Sequence, residues 1–260
     1  MQEIISNELW NEIKDLIPMK KVRTVGRPRA NSRKMLNGIF WIIRTGAQWS
    51  NLPRVFGAPT TVHGWFNKWA RTGIFELIQE KAYSFYKKNN NPCDSWFAID
   101  TSFSKAPFAR NGGRNPTDRG KRGMKRSIIV DWYGAPVACE VGAANKHDVR
   151  LFRATAQKIF NSKNNLGEIR ILAADSAFDS KQLREFCQKN ETVLFAAKNP
   201  RKTGKRPNSP GHRWVVERTF GWMSWYRGLK TCWSKKSENF LASTCFAAAI
   251  QLFKMGGIFG

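Results

Sequence analysis

The fold class of this chain is decided by residues 168–198, which read "EIRILAADSAFDSKQLREFCQKNETVLFAAK". An apolar run that ends on an acid (168–175) is followed by a helical pattern (180–190) and a second apolar run (192–198). Strands alternating with helices in this way are typical of α/β proteins. Upstream segments extend the pattern to three more strands and one helix, at 96–100, 126–132, 135–143 and 148–160. We therefore expect a mixed α/β sheet in this part of the chain.

The first third of the chain is predicted to be helical. Apolar residues recur at helical spacing in three segments separated by turn signals: 6–17, 32–46 and 58–73. We expect Ser6 or Asn7 to cap the first helix, Gly46 to end the second, and Thr60 or Thr61 to cap the third. Short helices beside a basic arm are typical of a helix-turn-helix-like DNA-binding unit. The polar stretch 87–95 predicts a boundary between a domain at 1–88 and a second domain at 95–260.

Charge is the strongest global signal in the composition. The 260 residues include 44 Lys and Arg against 19 Asp and Glu, a formal net charge of +25. Such a field attracts polyanions, of which nucleic acid is the commonest, with a membrane surface or a ribosome as alternatives. The five cysteines and three histidines have no zinc-site spacing, and no signal peptide is apparent. Residues 240–253 are apolar but too short and too polar to span a bilayer, so we expect a closing core helix there. The scattered cysteines are expected to be reduced, buried thiols of a cytoplasmic protein.

Three acids stand at informative places. Asp100 and Asp175 each follow an apolar strand, and ligands bind at the carboxyl ends of strands in α/β sheets. Glu217 lies inside an aromatic-rich helix at 211–229. Two aspartates and one glutamate could hold two Mg²⁺ or Mn²⁺ ions for phosphodiester chemistry.

Simpler interpretations of these acids stay open. Asp100 could cap a turn, Asp175 could cap the following helix, and Glu217 could form a surface ion pair with Arg213 at i−4. Small residues at i+4, i+7 and i+11 from Glu217, namely Gly221, Ser224 and Gly228, suggest instead that something comes close to this face, and that Gly221 and Ser224 let the helix pack closely on the sheet. Other acids are expected to have structural roles: Asp179 in a turn, Asp148 as a helix cap beside His147, and Asp131 and Glu140 on the surface.

Basic residues cluster in three segments. The arm 20–34 contains "GRPR" at 26–29, which could enter a minor groove or bind phosphate. Segments 105–126 and 198–213 border the acids and are expected to be loops that order on DNA. The predicted DNA-binding residues are Arg27, Arg29, Arg33, Lys34, Lys68, Arg119, Lys121, Arg122, Lys125, Arg126, Arg201, Lys202, Lys205, Arg206, Arg213 and Arg227.

The motifs "AIDTS", "ILAADSAFDS" and "RWVVERTFGWMSWYRGL", with "GRPRANSRKMLNGIFWIIRTGAQWSNLP" upstream, resemble bacterial insertion-sequence DDE transposases of the insertion sequence five (IS-five) family. The resemblance implies a ribonuclease-H-like catalytic domain in which Asp100, Asp175 and Glu217 are the catalytic, metal-binding triad and Arg213 precedes the glutamate. The wider group often has a tyrosine and a lysine where this chain has Pro210 and Ser224. Arg227 or Lys230 would then make the phosphate contact.

The resemblance implies a transposase that binds terminal inverted repeats and target DNA as double-stranded DNA. It would cleave and join strands with two Mg²⁺ or Mn²⁺ ions and work as a homo-oligomer, in the simplest case a dimer, without contact with a membrane. A DNA-binding repressor or domesticated derivative that no longer cuts is the alternative, and a general nuclease is a third possibility.

Overall fold

The structure is a computed structural model that describes residues 5–18, 30–93, 95–161, 170–196 and 211–258. The first part of the chain is helical, as predicted. Its helices are α1 (Asn7–Ile13), α2 (Ser32–Thr45), α3 (Pro59–Arg71) and α4 (Ile74–Asn90).

Short-range signals set the ends of these helices. The Ser6 side chain accepts a hydrogen bond from Leu9 N at 3.2 Å, and Gly46 ends α2 at φ 68°, so both predictions are confirmed. The predicted threonine cap of α3 is wrong. Pro59 stands in the first turn of α3 and Ala58 precedes it, because proline is well suited to a position whose N–H would have no helical partner.

The second part of the chain is a mixed α/β sheet with helices on both faces. Its elements are β1 (Trp96–Lys105), β2 (Gly113–Arg114), β3 (Arg122–Asp131), β4 (Pro136–Ala143), α5 (Asp148–Phe160), β5 (Ile171–Ala174), α6 (Lys181–Gln188), β6 (Val193–Ala196), α7 (Trp214–Ser224), α8 (Arg227–Lys230) and α9 (Ser237–Met255). The strand order is β4-β3-β1-β5-β6, and the short strand β2 also pairs with β3.

Strand direction divides the sheet into two halves. β1 is antiparallel to β3, which is antiparallel to β4, whereas β5 is parallel to both β1 and β6. The antiparallel strands follow one another along the chain, while the parallel strands are connected through α5 and α6, as parallel pairing requires. A meander extended by two parallel strands is the arrangement expected of a ribonuclease-H-like core.

Segment 105–126 is more regular than predicted. β1 continues to Lys105 and β3 begins at Arg122, so the two strands pair from Phe97↔Asp131 to Lys105↔Gly123. The polar residues 101–105 and 122–126 hide this extension in the sequence, because they lack the continuous apolar pattern by which the strands were predicted.

The last helix is central to the core. Thirteen of the residues of α9 are buried, and the helix packs against α4, β4 and α3. It therefore joins the helical first part of the chain to the sheet through one continuous apolar cluster. No helix among the described residues combines the length and the apolar character needed to cross a membrane.

Candidate active site

Asp100 lies in the middle of β1, not at its end as predicted. The parallel pairing of β1 with β5 ends at Ala98 and Ala173, so Asp100 lies two residues beyond the last pair. Asp175 follows β5 directly, so the two aspartates stand at equivalent positions beyond the last pair. The shared edge of two parallel strands therefore brings two carboxylates to the same end of the sheet.

Asp175 has a capping role, but not the predicted one, because Ser180 and not Asp175 caps α6. Its Oδ1 accepts a hydrogen bond from Ser176 N at 2.6 Å and caps a short 3-10 turn, Ser176–Phe178. The Asp100 Oδ1 accepts from Thr101 N at 2.7 Å in the same way. These local hydrogen bonds fix each carboxylate near its strand. The predicted turn cap by Asp100 is wrong, because Asp100, Thr101 and Ser102 all lie within β1.

Glu217 is on the exposed side of α7. The buried side of this helix, which packs on β1 and β3, consists of Val215, Val216, Thr219 and Met223. The predicted close packing on the sheet through Gly221 and Ser224 is wrong, because both are exposed and a Cβ on Gly221 would meet no atom within 4 Å. The third small residue, Gly228, does lie close to another element, since a Cβ there would be 2.9 Å from Ile43 O in α2. The predicted single helix at 211–229 is also interrupted, since α7 ends at Ser224 and α8 begins at Arg227.

Arg213 connects two of the three acids. Its Nη1 donates to Asp100 Oδ2 at 2.9 Å, and its Nη2 donates to Glu217 Oε1 at 2.5 Å. The ion pair predicted between Arg213 and Glu217 is thus present, but it extends to Asp100, 113 residues away in sequence. A guanidinium with its planar fork of donors is well suited to holding two carboxylates from different elements.

The electrostatics place Asp175 in the same group. Burial raises the pKa of Asp100 and the Asp175 charge raises it further, while Thr101 N–H and the Arg213 guanidinium oppose the shift. Burial lowers the pKa of Arg213, but the charges of Asp100, Glu217 and Asp175 outweigh it and raise the pKa overall. Three acids therefore act on one arginine, and the site favours a positive charge.

The side chains that fit a metal ion can be judged from their chemistry. The three acids offer only carboxylate oxygens, the ligands that Mg²⁺ and Mn²⁺ prefer. As the side chains stand, no three Asp, Glu, His or Cys residues in the described segments are close enough to hold an ion together. The Arg213 guanidinium occupies the space between Asp100 and Glu217, so this pair already accommodates a cation. Because the Glu217 side chain is 53% exposed, it can leave Arg213 without repacking the core. The donor set fits a hard divalent cation.

A contact that the sequence did not indicate holds α7 in place. The turn between β3 and β4 presents three consecutive carbonyl oxygens to residues at the start of α7. Trp132 O accepts from His212 Nε2 at 2.7 Å, Tyr133 O from Arg218 Nη2 at 2.6 Å, and Gly134 O from Thr219 Oγ1 at 2.6 Å. The His212 ring also stacks on Trp132 with a centroid distance of 3.7 Å. These contacts flank Arg213 and Glu217 and therefore position both.

Asp131 stabilises this turn, and its predicted surface position is wrong. The residue is fully buried, and its Oδ1 accepts from Tyr133 N at 3.0 Å and Ala135 N at 2.9 Å. Burial raises its pKa to about 6, against the hydrogen bonds from Ala135, Tyr86 and Tyr133, which lower it. The only signal in the sequence was the aspartate at the first position of the "DWYGA" turn.

Of the other predicted acids, Asp179 lies in a turn as predicted, Glu140 is half-buried and not on the surface, and the predicted cap by Asp148 is wrong. Asp179 accepts from Arg184 Nη2 at 2.7 Å, and Glu140 pairs with Lys158 at 3.2 Å. The cap of α5 is His147, whose Nδ1 accepts from Val149 N, whereas Asp148 pairs with Lys125.

The predicted DNA-binding residues other than Arg213 fall into four groups. Lys125 and Arg126 are buried, at 6% and 3% exposure, and are corrections to the prediction. Lys125 donates to Asp148 and to Lys146 O, while Arg126 lies over the Phe220 ring, because both belong to the paired part of β3. Six of the predicted DNA-binding residues are exposed on the surface, as predicted for DNA contacts: Lys34, Lys68, Arg119, Lys121, Arg122 and Arg227.

Arg33 is half-buried and donates to Ile5 O and to Asn7 Oδ1, so it fixes the start of the chain to α2. The predicted residues in the arm and in the second basic segment lie outside the described residues, namely Arg27, Arg29, Arg201, Lys202, Lys205 and Arg206.

The mixed sheet places the aspartate of β1 and the aspartate after β5 at one edge, and Arg213 connects the first of them to the helical glutamate. Comparison with known families gives the class of the domain: residues 91–252 match the family described as "Transposase DDE domain", and residues 5–79 match "Putative transposase of IS4/5 family". The chain belongs to the transposase DDE domain family, in the IS4/5 group of insertion-sequence transposases.

Relatives with curated names are similar over part of their length. The chain is 30% identical over 130 residues to the "Putative transposase for insertion sequence element IS402" of Burkholderia cepacia, a match that covers 48% of this chain and 61% of that protein. It is also 30% identical over 108 residues to the "Insertion element IS402 uncharacterized 16.2 kDa protein" of the same organism, covering 40% of this chain and 74% of that protein. A solved structure of a "pre-cleavage Mos1 transpososome" aligns with 96% of this chain and 86% of its own, but the identity of 9% and TM-score of 0.25 add nothing to the assignment.

Proposed function

We propose that this protein is a DNA transposase that binds the terminal inverted repeats of an insertion sequence and catalyses metal-dependent strand cleavage and strand transfer. The observation that carries the proposal is the bridge from Asp100 through Arg213 to Glu217, with the charge of Asp175 acting on the same group. Acids separated by more than a hundred residues are brought to one arginine at the carboxyl edge of the sheet, as a phosphoryl-transfer site requires. The names of the curated relatives agree with this activity.

In this proposal, Asp100, Asp175 and Glu217 are the catalytic residues and would hold two Mg²⁺ or Mn²⁺ ions. Such ions, when bound, activate water and stabilise the leaving oxygen in phosphoryl transfer. Arg213 neutralises the carboxylates before the ions bind, and its charge lowers the pKa of Asp100 against the larger, opposite effect of burial. When Glu217 leaves Arg213 to hold the ions, the Arg213 guanidinium can contact a DNA phosphate instead.

The other residues proposed to hold DNA are exposed on the surface away from the three acids. Arg119, Lys121 and Arg122 are exposed at the start of β3, and Arg227 is exposed at the start of α8. We assign residues 1–88 to DNA recognition, with α2 and α3 as a helix-turn-helix-like pair that presents Lys34 and Lys68, and residues 95–260 to catalysis on a ribonuclease-H-like core. Pairing of two element ends would require at least a dimer on DNA, in the cytoplasm at the nucleoid.

The proposal is tested by DNA nicking with a matched pair of variants. Glu217→Gln and Glu185→Gln both replace a helical glutamate that is paired with a cation at i−4 and is about half exposed, at 53% and 54%. With Mg²⁺ and DNA that carries the element's own ends, we expect Glu217→Gln to abolish nicking and to retain binding, while Glu185→Gln behaves as wild type. Equal nicking by wild type and Glu217→Gln would overturn the site. Binding without nicking by the wild type would favour the non-cleaving repressor, and cleavage that ignores the ends would favour a nuclease.

A further inference from the structure

A large groove separates the helical first part of the chain from the loops that follow β1 and α8. Its volume is about 1090 Å³. One wall is formed by α2 and α3, and the other by the loop after β1 and the segment before α9; the lining includes Trp49, His63, Phe108, Arg110, Trp233 and Asn239. This volume lies at or above the upper end of the range of roughly 300–1,000 Å³ that small-molecule sites occupy. A polymer segment suits the groove better than a single small molecule.

Two aromatic rings stand exposed at this groove. Phe108 and Trp233 are 56% and 54% exposed, and their ring centroids are 5.8 Å apart. Their loops are fastened together, since Arg110 N donates to Lys235 O at 2.8 Å and Cys232 N donates to Lys105 O at 2.7 Å. The two rings thus form an apolar surface on loops that backbone hydrogen bonds hold together, and exposed aromatic rings of this kind are typical of binding sites.

The charges beside the aromatic pair favour an anion. Arg110, Lys235 and Lys236 are exposed and line the groove. Lys236 lies 3.5 Å from Glu238, so the local balance remains positive. Aromatic rings next to cations are what a protein uses to hold unpaired nucleic acid, whose bases stack while its phosphates pair with the cations.

The inner wall of the groove contains a buried hydrogen-bond acceptor, the side-chain oxygen of Asn239, that has no donor among the described residues. Asn239 is 5% exposed and donates from Nδ2 to Asn67 Oδ1 at 2.6 Å, yet its Oδ1 has no hydrogen-bond partner among the described residues. A buried acceptor without a partner is costly, and a ligand that brings an N–H group relieves that cost. Trp49 stacks on His63 at 4.7 Å on the α2 and α3 side, which adds a second planar surface.

We propose that this groove binds an unpaired segment of DNA, with a base stacked on Phe108 and Trp233 and its phosphates on Arg110 and Lys235. The proposal rests on the transposase function proposed above and adds a site for the strand that leaves the duplex. Asp100 lies five residues before Lys105, the end of β1, which corresponds to roughly 17 Å of strand. At about 3.4 Å per base step, an unpaired extension of about five nucleotides would span the distance to Lys105, whose carbonyl accepts from Cys232 N next to Trp233 at the groove.

The test compares two DNA probes on the full chain. One is a blunt duplex of about two helical turns, and the other is the same duplex with an oligothymidine extension of about eight nucleotides, within the length that single-strand sites cover. Binding is followed by fluorescence anisotropy in Ca²⁺. We expect the extension to tighten wild-type binding about tenfold, the contribution of a stacked base or two. Phe108→Ala and Trp233→Ala should each lose most of that gain and leave the affinity for the blunt duplex unchanged.

Two further variants make the result decisive. Trp233→Leu keeps apolar bulk without a stacking ring and should lose the gain as well, which separates stacking from general packing. Phe195→Ala removes a ring of similar exposure, 49%, on the far edge strand β6 and should keep the full gain. No gain from the extension in wild type, or a full gain in Trp233→Ala, overturns the groove proposal while the function stands. If neither probe binds, the proposed function fails and the groove proposal with it.

Discussion

Replacing Arg213 by alanine tests whether the site is built for a cation. The variant removes both hydrogen bonds of the guanidinium, to Asp100 at 2.9 Å and to Glu217 at 2.5 Å. A hydrogen bond to a charged group contributes about 1.5–3 kcal/mol when it is buried, and an exposed ion pair contributes about 0–1 kcal/mol. The Asp100 contact is the more buried, with side-chain exposures of 18% and 21%, so we expect a loss of about 2–3 kcal/mol from both contacts.

The same variant should respond more strongly to divalent cations than the wild type does. Without Arg213, Asp100 and Glu217 have no shared counter-charge, and a bound ion restores it and stabilises the folded state by mass action. A loss of about 2 kcal/mol lowers the melting temperature by about 4–8 °C in a chain of this size. Thermal unfolding followed by circular dichroism, with and without millimolar Mg²⁺, should show that loss without Mg²⁺ and recovery of much of it with Mg²⁺.

The control for this experiment is the double variant Arg213→Ala/Asp100→Asn, which removes the buried carboxylate together with its partner. It should be less responsive to Mg²⁺ than Arg213→Ala alone. If Arg213→Ala unfolds at the same temperature with and without Mg²⁺, the carboxylates do not converge on a cation, and the reasoning is refuted.

Three more predictions concern the turn that holds α7, its buried acid and the DNA surface. Thr219→Val leaves Gly134 O without its donor, so we expect a loss of about 1–2 kcal/mol in urea unfolding and a larger loss in nicking than in DNA binding. Ser84→Ala, which removes an exposed hydroxyl that donates only to Glu80 O within α4, should change neither. Asp131 has a pKa of about 6 in the fold against an ordinary value of 3.8, so its contribution to stability is fully present below about pH 4 and is lost as the pH rises through 6. Asp131→Asn should flatten this pH dependence and be up to about 3 kcal/mol more stable than the wild type at pH 7.5. Parallel curves of unfolding free energy against pH for the two proteins would contradict the assignment. Lys121→Gln should reduce the slope of log Kd against log salt by about 1 in a DNA-binding titration, and an unchanged slope would remove Lys121 from the phosphate contacts.

Local sequence patterns predicted most elements of the fold. The helix at 148–160 is observed with those bounds, and the alternation of strands and helices at 168–198 is present with shorter strands. These elements have strong periodicity and nearby caps. The extension of β1 to Lys105 was not predictable, because its stability comes from pairing with β3 and not from an apolar run of its own.

The candidate site was predicted as three acids, but its organisation was not. Spacing along a helix indicated the pair of Arg213 and Glu217, which lie one turn apart. The contact between Arg213 and Asp100 depends on the sheet order, and sequence alone does not give it. The burial of Asp131 and Arg126 was missed for a similar reason, since a charged residue in a hairpin is exposed or buried according to what packs over it.

The most direct measurement of the central claim is Mn²⁺ binding, followed by electron paramagnetic resonance in the presence of duplex DNA that carries the element's ends. The account predicts that Asp100→Asn, Asp175→Asn and Glu217→Gln each weaken Mn²⁺ binding strongly, while Glu185→Gln binds as wild type does. Wild-type Mn²⁺ affinity in any one of those three variants would show that its side chain is not part of a shared metal site.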